Sequence, residues 1–156
     1  AAMSPFNAFM FIQGLETLAL RIREHSKNAD EIAKFLMSHP KVERVSHPSV
    51  ASDLAKERAD KYLSGGCGGL MGFEIKGGIE AGKQFINSLE MFYHVANIGD
   101  SRSLAIHPAS TTHSQLNEEE LLSAGVTPGY VRLSIGLEHL DDIKDDLSQA
   151  LDKVSV

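Results

Sequence analysis

The first 40 residues carry the feature that most restricts how this chain can fold. Ser4 followed by Pro5 is typical of a helix start, because serine caps free amides and proline at the first helical position gives up no hydrogen bond. Apolar residues then recur every three or four positions until His39-Pro40. The spacing predicts one helix over residues 5–38, about 50 Å long at ~1.5 Å per residue, which exceeds the width of a compact domain. Such a helix must project from its domain or bridge to another.

The first turns of this predicted helix are apolar on nearly every side. A helix at the edge of a small domain cannot bury all of its faces, and exposed apolar patches of this size rarely stay in contact with water. We therefore expect another domain to cover these residues. Without that domain, the chain should self-associate through them or leave the segment mobile or detached from its own core. They are Phe6, Phe9, Met10, Phe11 and Ile12.

Composition excludes several classes of protein. The 156 residues suit one domain, and 15 basic against 21 acidic residues give a net charge of −6, without the basic run that a nucleic-acid-binding surface needs. No apolar stretch approaches the ~20 residues of a membrane-spanning helix. A single cysteine, Cys67, excludes a disulfide scaffold. We expect a cytoplasmic protein with no nucleic-acid or membrane partner.

Beyond the helix, short strand patterns alternate with helical ones. Strands are predicted at 42–47, 70–76, 91–96 and 130–135, with helices between and after them, whereas 97–113 shows neither period and is interpreted as an ordered loop. This layout predicts an α+β fold over residues 40–156, with a mainly antiparallel four-stranded sheet and helices on one face. A long helix, residues 1–39, precedes it.

The last predicted strand separates two kinds of side chain. Val131, Leu133 and Ile135 alternate toward the helices, which places Arg132 and Ser134 on the opposite face. An arginine held on a rigid strand suits a carboxylate, because its planar fork donates two parallel hydrogen bonds. The pattern alone leaves open a solvated surface arginine instead.

Other candidate sites are weaker. The glycine-rich run 65–69 enters a strand and does not open a helix, which favours a turn over a phosphate cradle and makes Cys67 a small residue at a strand entrance. His107 and His113 lack neighbouring ligands at metal spacing, so they are interpreted as loop histidines with hydrogen-bonding roles, with a metal site as the alternative. An enzyme domain, a small-molecule-binding module and an assembly domain all remain open at this point.

Five segments in sequence order resemble the carboxy-terminal part of the Cys/Met-metabolism enzymes that use pyridoxal phosphate (PLP). The resemblance spans essentially the whole chain. Around 96–100 and 110–116 it is most similar to the O-acetylhomoserine sulfhydrylases, whereas related lyases usually have serine where Asn97 stands. The five segments are residues 1–9, 13–18, 97–100, 107–114 and 131–138.

The resemblance implies a fold-type I, PLP-dependent, homotetrameric enzyme that makes homocysteine or methionine from O-acetylhomoserine and sulfide or a thiol. It implies that Arg132 holds the substrate α-carboxylate, that Asn97 and Ile98 belong to the loop that helps to bind it, and that Thr112 lies near the cofactor pocket. Ala96 stands where some relatives carry a glutamate that selects the substrate.

One element of the family is absent from this sequence. None of the nine lysines lies in the Ser-x-Thr-Lys string that carries the cofactor. We therefore expect a carboxy-terminal domain whose PLP-binding domain is missing, with no catalytic residue, no cofactor and no metal of its own, and inactive in isolation. A stand-alone carboxylate-binding or regulatory module, a domain that only assembles with partners, and a domain of a related lyase or cystathionine γ-synthase are the alternatives.

Overall fold

A computed structural model describes residues 2–155, so Ala1 and Val156 of the predicted domain lie outside the described part. This part contains six α-helices and five strands. The helices are α1 (Pro5–Glu16), α2 (Leu18–Met37), α3 (Asp53–Tyr62), α4 (Gly78–Ser88), α5 (Glu118–Ser123) and α6 (Leu140–Asp152), and the strands are β1 (Val42–Ser46), β2 (Leu70–Ile75), β3 (Tyr93–His94), β4 (Leu104–Ile106) and β5 (Tyr130–Ser134).

The strands form one sheet in the order β1-β2-β5-β4-β3. All neighbours pair antiparallel except β3 and β4, which are parallel. The predicted α+β class and the mainly antiparallel sheet are therefore confirmed, but the sheet has five strands where the sequence pattern indicated four. The additional strand, β4, lies within the segment 97–113 that was predicted to be a loop. Its three residues are all buried, so it shows no alternation that a sequence pattern can register.

The hydrophobic core lies between one face of the sheet and helices α2, α4 and α6. Phe73 of β2 meets Phe85 of α4 edge to face, with ring centroids 5.3 Å apart, a favoured geometry for aromatic pairs. The fully buried core side chains also include Ile32, Leu36, Ile75, Val131, Leu133, Ile135, Ile143, Leu147 and Leu151. The opposite face of the sheet has no helical layer of this kind and is called the open face below.

The helix predicted over residues 5–38 is interrupted at one residue. Ser4 caps its start as predicted, with its hydroxyl accepting from the Asn7 amide at 3.2 Å. Thr17 then leaves helical geometry with φ −107° and ψ 7°, which ends α1 and begins α2. A β-branched threonine is a weak helix former, and here its hydroxyl accepts instead from the Arg21 guanidinium.

Helix α1 has no buried residue in the structure. Phe6 is 70% exposed and Phe11 62%, and Phe9, Met10, Ile12 and Leu15 are also exposed. The amphipathic α2, in contrast, packs its second half into the core. No helix among the described residues is long and apolar enough to cross a membrane.

Candidate functional site

Strand β5 presents Arg132 and Ser134 to the open face of the sheet. Val131 and Leu133 on the other face are fully buried in the core, as the alternation predicted. Arg132 pairs in register with Gly72 of β2 and with Ile106 of β4. The arginine therefore stands in the middle of the sheet, where neighbouring strands fix its backbone on both sides.

Arg132 lies against the loop that follows β3. One terminal nitrogen of its guanidinium donates to the backbone oxygen of Asn97 at 3.3 Å, and the Asn97 side chain accepts from the Ile98 amide at 2.9 Å. The structure thus brings together three of the four predicted substrate-binding residues. No described carboxylate pairs with Arg132, so most of its donors are directed to solvent.

Two tethers hold this loop on β5 and on the segment after it. The first is Ser134, whose hydroxyl accepts from the Gly99 amide at 3.1 Å. Gly99 has φ +75°, a left-handed conformation that favours glycine. Because Ser134 shares a strand with Arg132, this bond fixes the loop relative to the arginine.

The second tether is a buried hydrogen-bond cluster around Ser103. The Glu138 carboxylate accepts from the Ser103 amide at 2.7 Å and from its hydroxyl at 2.9 Å. The Ser103 hydroxyl in turn accepts from the Gly136 amide at 2.8 Å. A Cβ at Gly136 would lie 2.3 Å from the Glu138 carboxylate, so only glycine fits there. Sequence reasoning missed this cluster, although Gly136 and Glu138 belong to one of the family-like segments.

The outer part of the loop carries its own ion pair. The Arg102 guanidinium contacts the Asp100 carboxylate at 3.2 Å and lies 4.3 Å from the ring centre of Tyr93. Hydrogen bonds from Arg102 lower the pKa of Asp100 below its usual value. The pair is exposed, so its contribution is mainly to order the loop.

A cleft of about 920 Å³ opens beside Arg132, between α3 and the open face. Tyr130 lies in its floor above Gly72, where a Cβ would come within 2.1 Å of the phenol oxygen. Burial raises the pKa of Tyr130, because the phenolate is disfavoured away from water, and the nearby Arg132 and Arg44 partly oppose this effect. Tyr130 is therefore a neutral hydroxyl donor beside the arginine, and the predicted site did not include it.

Thr112 is placed apart from the other predicted residues. Its exposed hydroxyl is 2.8 Å from the His113 ring, and Thr112 neither lines the cleft nor contacts Arg132. The structure of the described residues therefore gives no support for grouping Thr112 with Arg132, Asn97 and Ile98.

His107 is a fully buried structural residue. Its Nε2 donates to the Pro128 carbonyl at 2.8 Å, and its Nδ1 accepts from the Ser110 hydroxyl at 2.8 Å. Burial lowers its pKa, so the ring is neutral at pH 7. The predicted hydrogen-bonding role of His107 is confirmed, and within residues 2–155 no group of three histidine, cysteine or acidic side chains is arranged to hold a metal ion.

The glycine-rich segment before β2 forms the predicted turn. Gly66 and Gly68 adopt φ +118° and +77°, and the Gly68 amide donates to Ser26 of α2 at 3.1 Å. Burial raises the pKa of the Cys67 thiol, so it is not an activated nucleophile.

The residues present do not fit a complete PLP site. A cofactor lysine needs an amine in the cleft, but no lysine lines it. Lys41 donates instead to the backbone oxygens of Leu151, Asp152 and Val154 at the end of α6. The described chain therefore offers carboxylate-binding groups without the group that attaches the cofactor.

Comparison with known proteins finds relatives that match nearly the whole chain. The chain is 56% identical to an O-acetyl-L-homoserine sulfhydrylase of Leptospira meyeri over 98% of its length, which is 35% of that protein. It is 46% identical to a homocysteine synthase of Schizosaccharomyces pombe over 96% of its length, which is 35% of that protein. It is 44% identical to an L-methionine gamma-lyase of Pseudomonas putida over 97% of its length, which is 38% of that protein. It thus spans about a third of these relatives.

A solved structure agrees with this match. The crystal structure of a putative O-acetylhomoserine (thiol)-lyase from Campylobacter jejuni superposes with a TM-score of 0.88 at 48% identity, covering 97% of this chain and 36% of that one. That protein carries a pyridoxyl-lysine phosphate at its position 205. The profile of the family described as "Cys/Met metabolism PLP-dependent enzyme" matches residues 1–152. This chain belongs to the family of PLP-dependent enzymes of Cys/Met metabolism.

Proposed function

We propose that this chain is the domain that binds the substrate carboxylate in an O-acetylhomoserine sulfhydrylase. The whole enzyme would replace the acetate of O-acetylhomoserine with sulfide or a thiol, giving homocysteine or methionine. Relatives with sulfhydrylase or homocysteine synthase names support this reaction. Methionine gamma-lyases at 42–44% identity make γ-elimination the second candidate.

The observation that carries the proposal is the position of Arg132. Its guanidinium is held at one nitrogen by Asn97, and its other donors face a cleft without a carboxylate partner. A planar fork in this state binds an incoming carboxylate through two parallel bonds. Asn97 and Ile98 then close the substrate from the loop side, and the Tyr130 hydroxyl supplies one further donor.

The cofactor would be held by a second domain. We propose that the full-length protein contains a PLP-binding domain with the Ser-x-Thr-Lys string, and that Arg132 and the loop face this domain. When bound, PLP would supply the electron sink that γ-replacement requires. This chain would orient the substrate and exclude water around its carboxylate.

The exposed apolar residues of α1 also support the presence of a second domain. Phe6, Phe9 and Phe11 remain 55–70% exposed, although burying one such side chain is worth about 1.5–3 kcal/mol. We propose that the PLP-binding domain or another subunit covers them, in a cytoplasmic homotetramer. The isolated chain would then be inactive and would retain no PLP absorbance after desalting.

The test is steady-state kinetics of the full-length protein with O-acetylhomoserine and sulfide, and with methionine for elimination. Losing two charge-assisted bonds, about 1.5–3 kcal/mol each, should lower kcat/KM of Arg132→Ala at least a hundredfold. Arg132→Lys should recover only part, because an ammonium lacks the planar fork. Arg23→Ala, an exposed arginine on α2 outside the cleft, is the matched control.

Two results would contradict the proposal. Wild-type kcat/KM in Arg132→Ala would make Arg132 a solvated surface residue. Loss of PLP absorbance in that variant would instead indicate a structural role, because the proposal leaves cofactor binding to the other domain. Turnover of methionine without turnover of O-acetylhomoserine would favour the lyase.

A further inference from the structure

The cleft beside Arg132 is much larger than one carboxylate group, and its charged lining residues are all arginines. The chain contains six arginines, and three of them line this cleft: Arg44 on β1, Arg58 on α3 and Arg132 on β5. No lysine, aspartate or glutamate lines it. In a chain of net charge −6, half of the arginines have thus been gathered around one concave surface.

These arginines have no acidic partners within the described chain. None of the ion pairs among residues 2–155 involves Arg44, Arg58 or Arg132. The nearest candidate in register is Glu74, opposite Arg44, but its carboxylate accepts from the Thr127 hydroxyl and from the Gly129 amide. A cleft lined by unpaired charge of one sign focuses its field and concentrates anions.

The register places Arg44 and Arg132 on different strands of the open face. Arg44 lies on β1 and Arg132 on β5, with β2 between them and an offset of two residues along the strands. Strand spacing and rise then separate their Cα atoms by about 12 Å. Tyr130 lies between them in the floor, and Arg58 stands on the wall formed by α3. The bond from Arg132 to Asn97, in the loop after β3, holds its guanidinium on the side of β5 away from Arg44. This separation suits a molecule with an anionic group at each end.

The surface between the two ends is largely apolar. Leu70 belongs to the sheet side of the cleft, and Ala55 and Ala59 belong to α3. Apolar side chains of this kind accommodate the carbon chain of a ligand between its charged ends.

We propose that Arg44 and Arg58 form a second anion subsite, which binds an acidic group at the far end of a small organic substrate while Arg132 holds the near carboxylate. The assignment of the near end rests on the proposed function. The acidic group belongs either to the acyl portion of the amino-acid substrate or to a thiol that carries a carboxylate. Both present the same chemistry to Arg44 and Arg58.

Equilibrium binding to the full-length protein tests the subsite without turnover. Straight-chain dicarboxylates from succinate to suberate are titrated calorimetrically, each against the monocarboxylate of equal length. We expect one chain length to bind about tenfold more tightly than its monocarboxylate, as one additional charge-assisted contact implies. The double variant Arg44→Gln/Arg58→Gln should abolish that preference, Arg132→Gln should weaken both ligands, and Arg23→Gln should change neither.

Equal affinity for dicarboxylates and monocarboxylates at every length would overturn the subsite, as would a preference that survives in the double variant. Turnover of O-acetylhomoserine with sulfide needs no second carboxylate, so the proposed function stands or falls on that assay separately. A dicarboxylate preference without this turnover would refute the proposed function and leave the subsite intact.

Kinetics then distinguish the two sources of the acidic group. If it belongs to the acyl portion, the double variant should raise KM for O-succinylhomoserine about tenfold and leave O-acetylhomoserine unchanged. If it belongs to a thiol, the same rise should appear for 3-mercaptopropionate and not for propanethiol. Equal effects on charged and neutral substrates in both pairs would refute a substrate role for Arg44 and Arg58.

Discussion

The tether between Glu138 and Ser103 should control the order of the loop that carries Asn97 and Ile98. Ser103 is fully buried, and Glu138 accepts from both its amide and its hydroxyl. Glu138→Ala removes both acceptors and leaves a buried amide without a partner, a loss of about 1–3 kcal/mol. Because Glu138 is half-buried and water can replace part of its role, we take about 2 kcal/mol.

Hydrogen exchange measures this change where it occurs. A loss of about 2 kcal/mol raises the population of the open loop about thirtyfold, so amides in residues 97–103 should exchange about thirtyfold faster in the full-length protein. Amides of α6 around Leu147, deep in the core, should keep their rates. Glu138→Gln should give an intermediate rate, because its amide group retains one acceptor oxygen. Glu43→Ala, an exposed glutamate on β1, is the matched control.

Two outcomes would refute this reasoning. Unchanged exchange over 97–103 in Glu138→Ala would mean that Ser134 and the backbone alone hold the loop. Faster exchange that includes α6 would mean that Glu138 contributes to global stability and not to the loop in particular.

Three further predictions follow from burial and packing. Gly72→Val should displace the Tyr130 ring, because a Cβ would lie 2.1 Å from its hydroxyl. It should weaken binding of the preferred dicarboxylate at least fivefold in calorimetry, with the fold intact by circular dichroism. His107 has a pKa lowered below 6.5, so its neutral form is favoured in the folded protein. Its contribution to the free energy of unfolding should be complete above about pH 6.5 and fall as the pH decreases, a slope that urea titrations should find reduced in His107→Gln. Phe6→Asp with Phe9→Asp should reduce self-association of the isolated chain in sedimentation velocity and leave its secondary structure unchanged.

The sequence pattern predicted those parts of the fold that depend on periodicity. The alternation of β5 placed Arg132 opposite Val131 and Leu133, and the helix start at Ser4 and Pro5 is present in α1. Such signals depend on residues that are close together in the sequence, so the sequence pattern alone can reveal them.

The features that the pattern missed depend on contacts distant in sequence. Strand β4 exists because β5 and β3 pair with it on either side, and its three buried residues carry no period of their own. The cleft has the same origin, because Arg44 and Arg132 are separated by 88 positions in the chain and by one strand in the sheet. The role of Tyr130 required knowing that Gly72 lies beneath it.

The segment 131–138 shows why a family resemblance can be concentrated in so few residues. Its odd positions anchor β5 in the core, and the even positions Arg132 and Ser134 serve the open face. Gly136 and Glu138, after the strand ends, hold Ser103 at the far end of the loop. One short segment therefore supplies both the arginine and the tethers that position the loop beside it. A shift of one residue in register would exchange the two sets and destroy core and site together. Substitutions at the core-facing positions of this segment should therefore reduce stability, whereas substitutions at Arg132 and Ser134 should reduce binding.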